Sequence, residues 1–319
     1  MTRQLASTPP TSPPGRSGPP ERLRSRRWSG RSRRDFIVFL ALALPNLILI
    51  AVFTYRPLIS NIYYSTLDWT LGSASATVVG FENYVTFFTS DDAPKVLGTT
   101  AVFTLVTVGG SMLLGLLIAL ALNSKVPGTT FARSAVFAPY VLSGVGVGLV
   151  WLFIFDPGYG VLAWLLRGIG QQSPQWINDP QLSLVMVILV YIWKNLGYCA
   201  VVYLAGLQSL PQDVMEAASL DGANGFRRFI SMSIPLLSPT TFFLLITTML
   251  SSLQAFDLIR IMTPLGAGTS TLIYEAYLQA FGAFNRAGYS AAISVILFAI
   301  LLVITVLQLR FVERKVHYS

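Results

Sequence analysis

The chain has 319 residues, of which 53% are hydrophobic and only 11% charged. A soluble domain of this length carries about 25% charged residues, so most of this chain has lipid rather than water as its solvent. The formal net charge is +8, but the excess is concentrated before Phe36 in a Pro- and Ser-rich stretch with no aromatic residue beyond Trp28, which argues against nucleic acid as a partner and for a disordered cytoplasmic tail over 1–35.

Single copies of cysteine (Cys199) and histidine (His317) exclude an internal disulfide and a clustered metal site. A hydrocarbon core ~30 Å thick needs about 20 apolar residues in a helix. Runs of that kind predict six spans at about 36–55, 97–122, 134–155, 181–207, 235–258 and 287–309, within a membrane domain over 36–311. The first run is too late and too long for a cleaved signal peptide and reads as a retained span. The fold class expected is therefore all-α, a polytopic membrane protein with six transmembrane helices.

Lysine and arginine set the orientation. With the tail inside, sixteen basic residues lie on the inner side and five, Arg56, Lys95, Arg167, Arg260 and Arg286, on the outer. Both termini, including 312–319, are thus expected in the cytoplasm. The outer loop 57–95 carries Tyr63, Tyr64, Trp69 and Tyr84, residues suited to the headgroup boundary. Val161–Ile169 reads as a short amphipathic helix near the outer interface. In the third span, Gly144 and Gly148 form a small-xxx-small pair that lets helix backbones approach. Packing against a partner subunit and packing within this chain both fit them.

The inner loop 209–234 carries the most information. Pro211 suits the first turn of a helix, with Asp213 and Glu216 near its positive end. Gly222 suits a left-handed stop, and Asn224 suits the N-cap of a second helix through Phe226 and Phe229. Two short helices joined by a glycine turn would form a compact cytoplasmic knob able to sit in a partner's groove.

At these residues the chain resembles the inner-membrane permease subunits of binding-protein-dependent ABC importers. Their signature is matched by Glu216, Ala217, Ala218, Asp221, Gly222, Ala223, Phe229, Pro235 and Pro239. The resemblance implies that Glu216, Ala217, Ala218, Asp221, Gly222 and Ala223 couple the chain to an ATPase subunit, with Glu216 paired to a basic group there. It implies further partners: a second, similar permease forming a heterodimer, two ATPase subunits, an extracytoplasmic solute-binding protein, and the lipid of a bacterial cell membrane. Likeness extends along most of the chain after residue 36, through Gly80-Phe81-Glu82-Asn83-Tyr84, Pro139-Tyr140, Asp156-Pro157 and Phe256-Asp257, and points to the carbohydrate-type, maltose-permease-like branch. The segment Thr263-Pro264-Leu265-Gly266-Ala267-Gly268 departs from the branch's Thr-x-Gly-Gly-Pro turn. The nearest likeness is to the first-permease branch of glycerol-3-phosphate and glycerophosphodiester importers, carried by Trp193-Lys194, Phe242–Leu245 and the ending Leu309–Tyr318. Sugars or oligosaccharides are the alternative solutes.

No G-x-x-x-x-G-K-[ST] loop is present, so no cofactor is expected in this chain, and ATP with Mg belongs to the partner ATPase. A membrane-embedded transferase is the rival class. It would need convergent acids or histidines, whereas Asp68, Glu82, Asp91 and Asp92 are scattered over one loop.

Charged and amide residues within the spans mark the solute path. Lys194 and Asn195 in the fourth span, with Gln254 and Asp257 in the fifth, are the candidates. For Lys194, contact with a solute phosphate and a structural bond to a neighbouring helix both fit. For Asp257, structural pairing with Arg260 is the expectation. Cys199 reads as a small packing residue.

Overall fold

A computed structural model describes residues 30–123, 128–211, 224–266 and 268–312. They fall into two units, one ending at Arg56 and one beginning at Pro57.

The first unit holds α1 (Gly30–Ile50) and a π-helical turn, Ala51–Tyr55. In that turn the Arg56 amide donates to the Ala51 carbonyl, immediately before Pro57. A second π turn, Phe229–Ser233, is closed by the Ile234 amide onto Phe229 and again precedes a proline, Pro235. Proline has no N–H to give and its ring crowds the carbonyl four residues back; a widened turn relieves that clash without ending the helix. α2 (Arg56–Tyr64) follows the first π turn.

In the second unit, Leu67–Asp68 (β1) pairs antiparallel with Thr77–Val78 (β2). Asn83, on α3 (Glu82–Thr89), donates to the Ser65 and Leu67 carbonyls at 2.9 Å each, tying that turn to the helix. Three long helices come next in the chain: α4 (Ala93–Leu122), a bent pair α5 (Thr129–Val141) and α6 (Gly144–Phe155), and α8 (Pro180–Gln208). The amphipathic α7 (Val161–Gly168) lies between the last two. α8 starts where the sequence chemistry demands: Pro180 takes the first position, and the Asp179 carboxylate accepts from the Gln181 and Leu182 amides at 2.8 and 3.1 Å. After the inner loop come α9 (Ser238–Leu253), α10 (Asp257–Met262), α11 (Leu272–Phe281) and α12 (Ala287–Leu307).

Among the described residues, five helices are long and apolar enough to cross a membrane, or six if the bent pair counts as one span. Large apolar side chains such as Leu105, Leu149 and Leu302 are exposed, as a lipid solvent requires. The core is divided. One cluster packs Phe103, Met186, Val190, Ile259, Met262 and Tyr274, and another packs Phe87, Leu272, Tyr289 and Ile293. Several buried hydroxyls are returned to backbone carbonyls one turn back, as Thr107 is to Phe103 at 2.7 Å, which satisfies them in the low-dielectric interior.

Two of the spans expected to be continuous are interrupted. The third breaks at Leu142–Ser143, where α5 and α6 meet at a 98° bend. The fifth, Ser238–Met262, stays one candidate span but carries a non-helical joint at Gln254–Phe256, between α9 and α10. Hydropathy is blind to the first, because the apolar run continues through it, whereas Gln254 and Asp257 lie at the second. The backbone cause is local: Pro139 withholds an N–H one turn before the first break, and Ser143-Gly144 make a weak joint.

Candidate functional site

The six residues expected to couple the chain to an ATPase, Glu216, Ala217, Ala218, Asp221, Gly222 and Ala223, lie outside the described residues. Their downstream flank is described. Asn224 caps the turn Gly225–Arg228, its side-chain oxygen accepting from the Arg227 amide at 2.8 Å.

The other four candidates are brought together. Lys194, Asn195, Gln254 and Asp257 line one cavity of about 250 Å³, along with Tyr191 and Phe256. The cavity sits at the two helix breaks. Gln254 lies in the joint of the fifth span and Asp257 is the first residue of α10. Gly144, the first residue of α6, contributes from the third span, and Lys194 and Asn195 come from α8. Irregular backbone at membrane depth is tolerated inside protein or beside a polar cavity; Gln254, Ala255 and Phe256 of the second joint line this one, as does Gly144 just after the first.

Lys194 is half-buried, and its Nζ donates to the Tyr140 carbonyl at 2.9 Å while lying 5.4 Å from the Tyr140 ring centre. Tyr140 stacks in turn on Tyr198, with centroids 4.9 Å apart. Its carbonyl belongs to the last turn of α5 and has no amide ahead of it in the helix. An ammonium bonded there performs a C-terminal cap. Asn195 spends its amide within its own helix, donating to Tyr191 at 2.8 Å.

The expected pairing of Asp257 with Arg260 does not occur. No ion pair joins Asp257 to Arg260 or to Lys194; the ion pair found among the described residues is the exposed Lys95–Asp92, at 3.0 Å. Spacing of three residues permits such a pair on a free helix, but tertiary packing overrides it. The Asp257 carboxylate turns to α6, with Oδ2 3.3 Å from where a Cβ on Gly144 would stand. The Arg260 guanidinium instead lies over the Tyr277 ring at 4.8 Å and the Phe256 ring at 5.9 Å.

Gly144 and Gly148 pack within the chain. A Cβ on Gly144 would meet Asp257 and one on Gly148 would meet Ile261, so α6 lies directly on α10. Cys199 is buried, and its Cβ lies 2.5 Å from where a Cβ on Gly115 would stand. Tyr140, Gly144 and Phe256 are site residues that sequence reasoning did not single out as such. Pro139 before Tyr140 and the Ser143-Gly144 joint carried the available signal.

A smaller cavity, about 10 Å³, adjoins through Asn195, Tyr140 and Tyr191 and is lined by Thr107, Ser111 and Ser251. Ser111 Oγ has no hydrogen-bond partner among the described residues. The space suits about one water molecule, which would satisfy that hydroxyl.

Comparison with known proteins agrees with this architecture. Residues 111–318 match the family described as binding-protein-dependent transport system inner membrane component. The sn-glycerol-3-phosphate transport system permease protein UgpA of Agrobacterium fabrum (strain C58 / ATCC 33970) is 36% identical over 281 residues, spanning 87% of this chain and 95% of its own length. The protein of the same name from Rhizobium meliloti (strain 1021) is 35% identical over the same shares. Among solved structures, a bacterial ABC transporter involved in the import of the acidic polysaccharide alginate superposes with a TM-score of 0.78 at 23% identity, covering 88% of this chain and 96% of that one. The alginate transporter in complex with an alginate pentasaccharide-bound periplasmic protein gives 0.80 at 23% identity, covering 92% and 100%. At that identity the structures establish the fold alone. The family match and the full-length relatives establish more: this chain belongs to the inner-membrane components of binding-protein-dependent transport systems, a multi-pass membrane transport subunit rather than an enzyme.

Proposed function

We propose that this chain is one of two permease subunits of an ATP-driven importer whose solutes are glycerol-3-phosphate or glycerophosphodiesters such as glycerophosphocholine. The observation that carries the reading is the likeness to glycerol-3-phosphate permeases over 87% of the chain. The cavity supports it. An ammonium has three donors and Lys194 spends one on Tyr140, leaving two for a phosphate oxygen entering from the open side. Asn195 and Gln254 are suited to glycerol hydroxyls.

In this reading both termini and the loop 209–234 face the cytoplasm, and Glu216 to Ala223 dock on an ATPase partner. That partner holds ATP and Mg. A solute-binding protein delivers solute from outside, where a neighbouring fold is seen with a periplasmic protein. ATP-driven closure of two ATPases moves the docked knob, and the spans pass between two packed states with the cavity open to opposite sides.

The test is uptake into vesicles carrying this chain with its second permease, ATPase and binding protein. Glycerol-3-phosphate and glycerophosphocholine should accumulate with ATP, and a disaccharide should not. Accumulation of the disaccharide alone would move the solute to the sugar alternative. Uptake persisting without ATP would remove the importer reading altogether.

A further inference from the structure

We infer that Lys194 and Asp257 are positioning residues that together hold the interrupted third span in its bent form, the ammonium on the carbonyl end of α5 and the carboxylate beside the amide end of α6. The inference deepens the reading of the cavity as part of the solute path, and rests on that reading only for its transport arm.

Three observations converge. First, a 98° bend at a two-residue joint leaves two helix ends facing one another with no intrahelical partners. The α5 end receives the Lys194 ammonium at 2.9 Å on the Tyr140 carbonyl, from a different helix. Second, no side chain caps α6 by hydrogen bonding at its N-terminus, and the carboxylate that reaches its first residue is Asp257, also from a different helix. Gly144 makes this approach possible, since a Cβ there would stand 3.0 Å from the Asp257 Cβ. Third, the signs match the helix dipoles. The carbonyl end of a helix is negative and takes the cation, and the amide end is positive and takes the anion. Among the described residues neither charge is used in an ion pair. Because each charged residue belongs to a span other than the third, the bend is held from α8 on one side and α10 on the other. The walls of the cavity and the angle of the break are therefore set by the same two side chains.

Spin labels on α5 and α6, at the exposed positions Phe131 and Phe153 in a Cys199→Ala background, would report the bend in the assembled importer. The parent and Lys194→Arg should give a narrow distance distribution. Lys194→Met and Asp257→Asn should each broaden and shift it and lower uptake up to about fivefold, the size of one lost helix-end charge. The exchange Lys194→Asp with Asp257→Lys is decisive. It retains two opposite charges at the cavity but places each on the helix end of its own sign, so its distribution should be at least as broad as that of the worse single variant. Restoration of the narrow distribution by the exchange would show that mutual attraction is what matters and would overturn the inference. So would parent-like distributions in both single variants. If those variants instead lost glycerol-3-phosphate uptake with the bend intact, Lys194 would be a solute contact, and the proposed solute would stand while this inference fell. A broadened bend in an importer that carries only sugar would leave the inference standing and the solute wrong.

Discussion

Two helix pairs in this protein use the same small-residue chemistry to different ends. In α4 and α8, Gly115 lies against Cys199 and Ala200, and Gly110 against Ile192, so two unbroken helices pack closely along their length. In α6 and α10, Gly144 lies against Asp257 and Gly148 against Ile261, but each helix begins at a break. The first pair is unbroken through these contacts, and its glycines face Ile192, Cys199 and Ala200. The second exposes helix ends inside the membrane domain, and Lys194 and Asp257, with Gln254 in the joint between α9 and α10, gather beside them around a cavity. Glycine sets how near two helices come. The interruption decides whether charge has a place there.

The comparison is sharpest if transport can be lost without loss of protein. Glu216→Lys and Gly222→Pro change residues that belong in sequence to neither pair. Each should abolish uptake entirely while the subunit stays in the membrane at its normal amount, and the ATPase should fail to co-purify. Normal uptake with normal ATPase association by Glu216→Lys would remove the docking role from this loop.

The helical membrane architecture was legible because lipid imposes a simple length rule on apolar runs, and the family was legible in the motif from Glu216 to Pro239. The breaks were not. Ser134–Phe155 is charge-free throughout, and only Pro139 and Ser143-Gly144 hint at an interruption. The four polar candidates Lys194, Asn195, Gln254 and Asp257 stood out because such residues are costly in a span. What each one touches was not legible. Spacing alone pairs Asp257 with Arg260, whereas the partner it reaches, the start of α6, lies over a hundred residues away and depends on a bend that hydropathy cannot report.

The two seams should respond differently to one added methyl group. At Gly115, a Cβ would meet the Cys199 Cβ at 2.5 Å and the Ala200 backbone nitrogen at 3.0 Å. Gly115→Ala should therefore cost about 3 kcal/mol, read as a loss of folded protein and a lower Tm. Trimming its neighbour by Cys199→Ala should not help, since that Cβ and the backbone remain. Recovery in the double variant would show that the seam can slide apart and would weaken the contrast.

At Gly148 the nearest atoms belong to a side chain, Ile261 Cγ2 at 2.8 Å and Cβ at 3.1 Å. Gly148→Ala should cost about 1 kcal/mol, because α10 can shift and Ile261 can yield. Ile261→Ala should restore much of the loss by removing Cγ2. Uptake, more than accumulation, is the sensitive measurement here, since displacement of α10 moves Asp257 and so the cavity wall. Equal losses at Gly115 and Gly148, with neither rescued, would erase the distinction between the two pairs.

The smallest effect concerns what Arg260 does on the second pair. Its guanidinium lies 4.8 Å from the Tyr277 ring centre and is not ion-paired with Asp257. A cation over an aromatic face at an exposed site contributes about 0.5–1 kcal/mol, through the negative face of the ring rather than through a formal charge. Arg260→Gln and Tyr277→Leu should thus be non-additive by about 0.5 kcal/mol in thermal stability, since either change removes the same contact. Arg260→Gln and Asp257→Asn should be additive within about 0.3 kcal/mol, because those two groups act on different neighbours. Salt separates the alternatives further. An exposed ion pair weakens as ionic strength rises, so a pair with Asp257 would make the Arg260→Gln effect shrink in high salt. The ring contact, held close by packing between α10 and α11, should be much less sensitive. Coupling to Asp257 that exceeds coupling to Tyr277, and that fades with salt, would restore the i,i+3 pairing and release the carboxylate from α6.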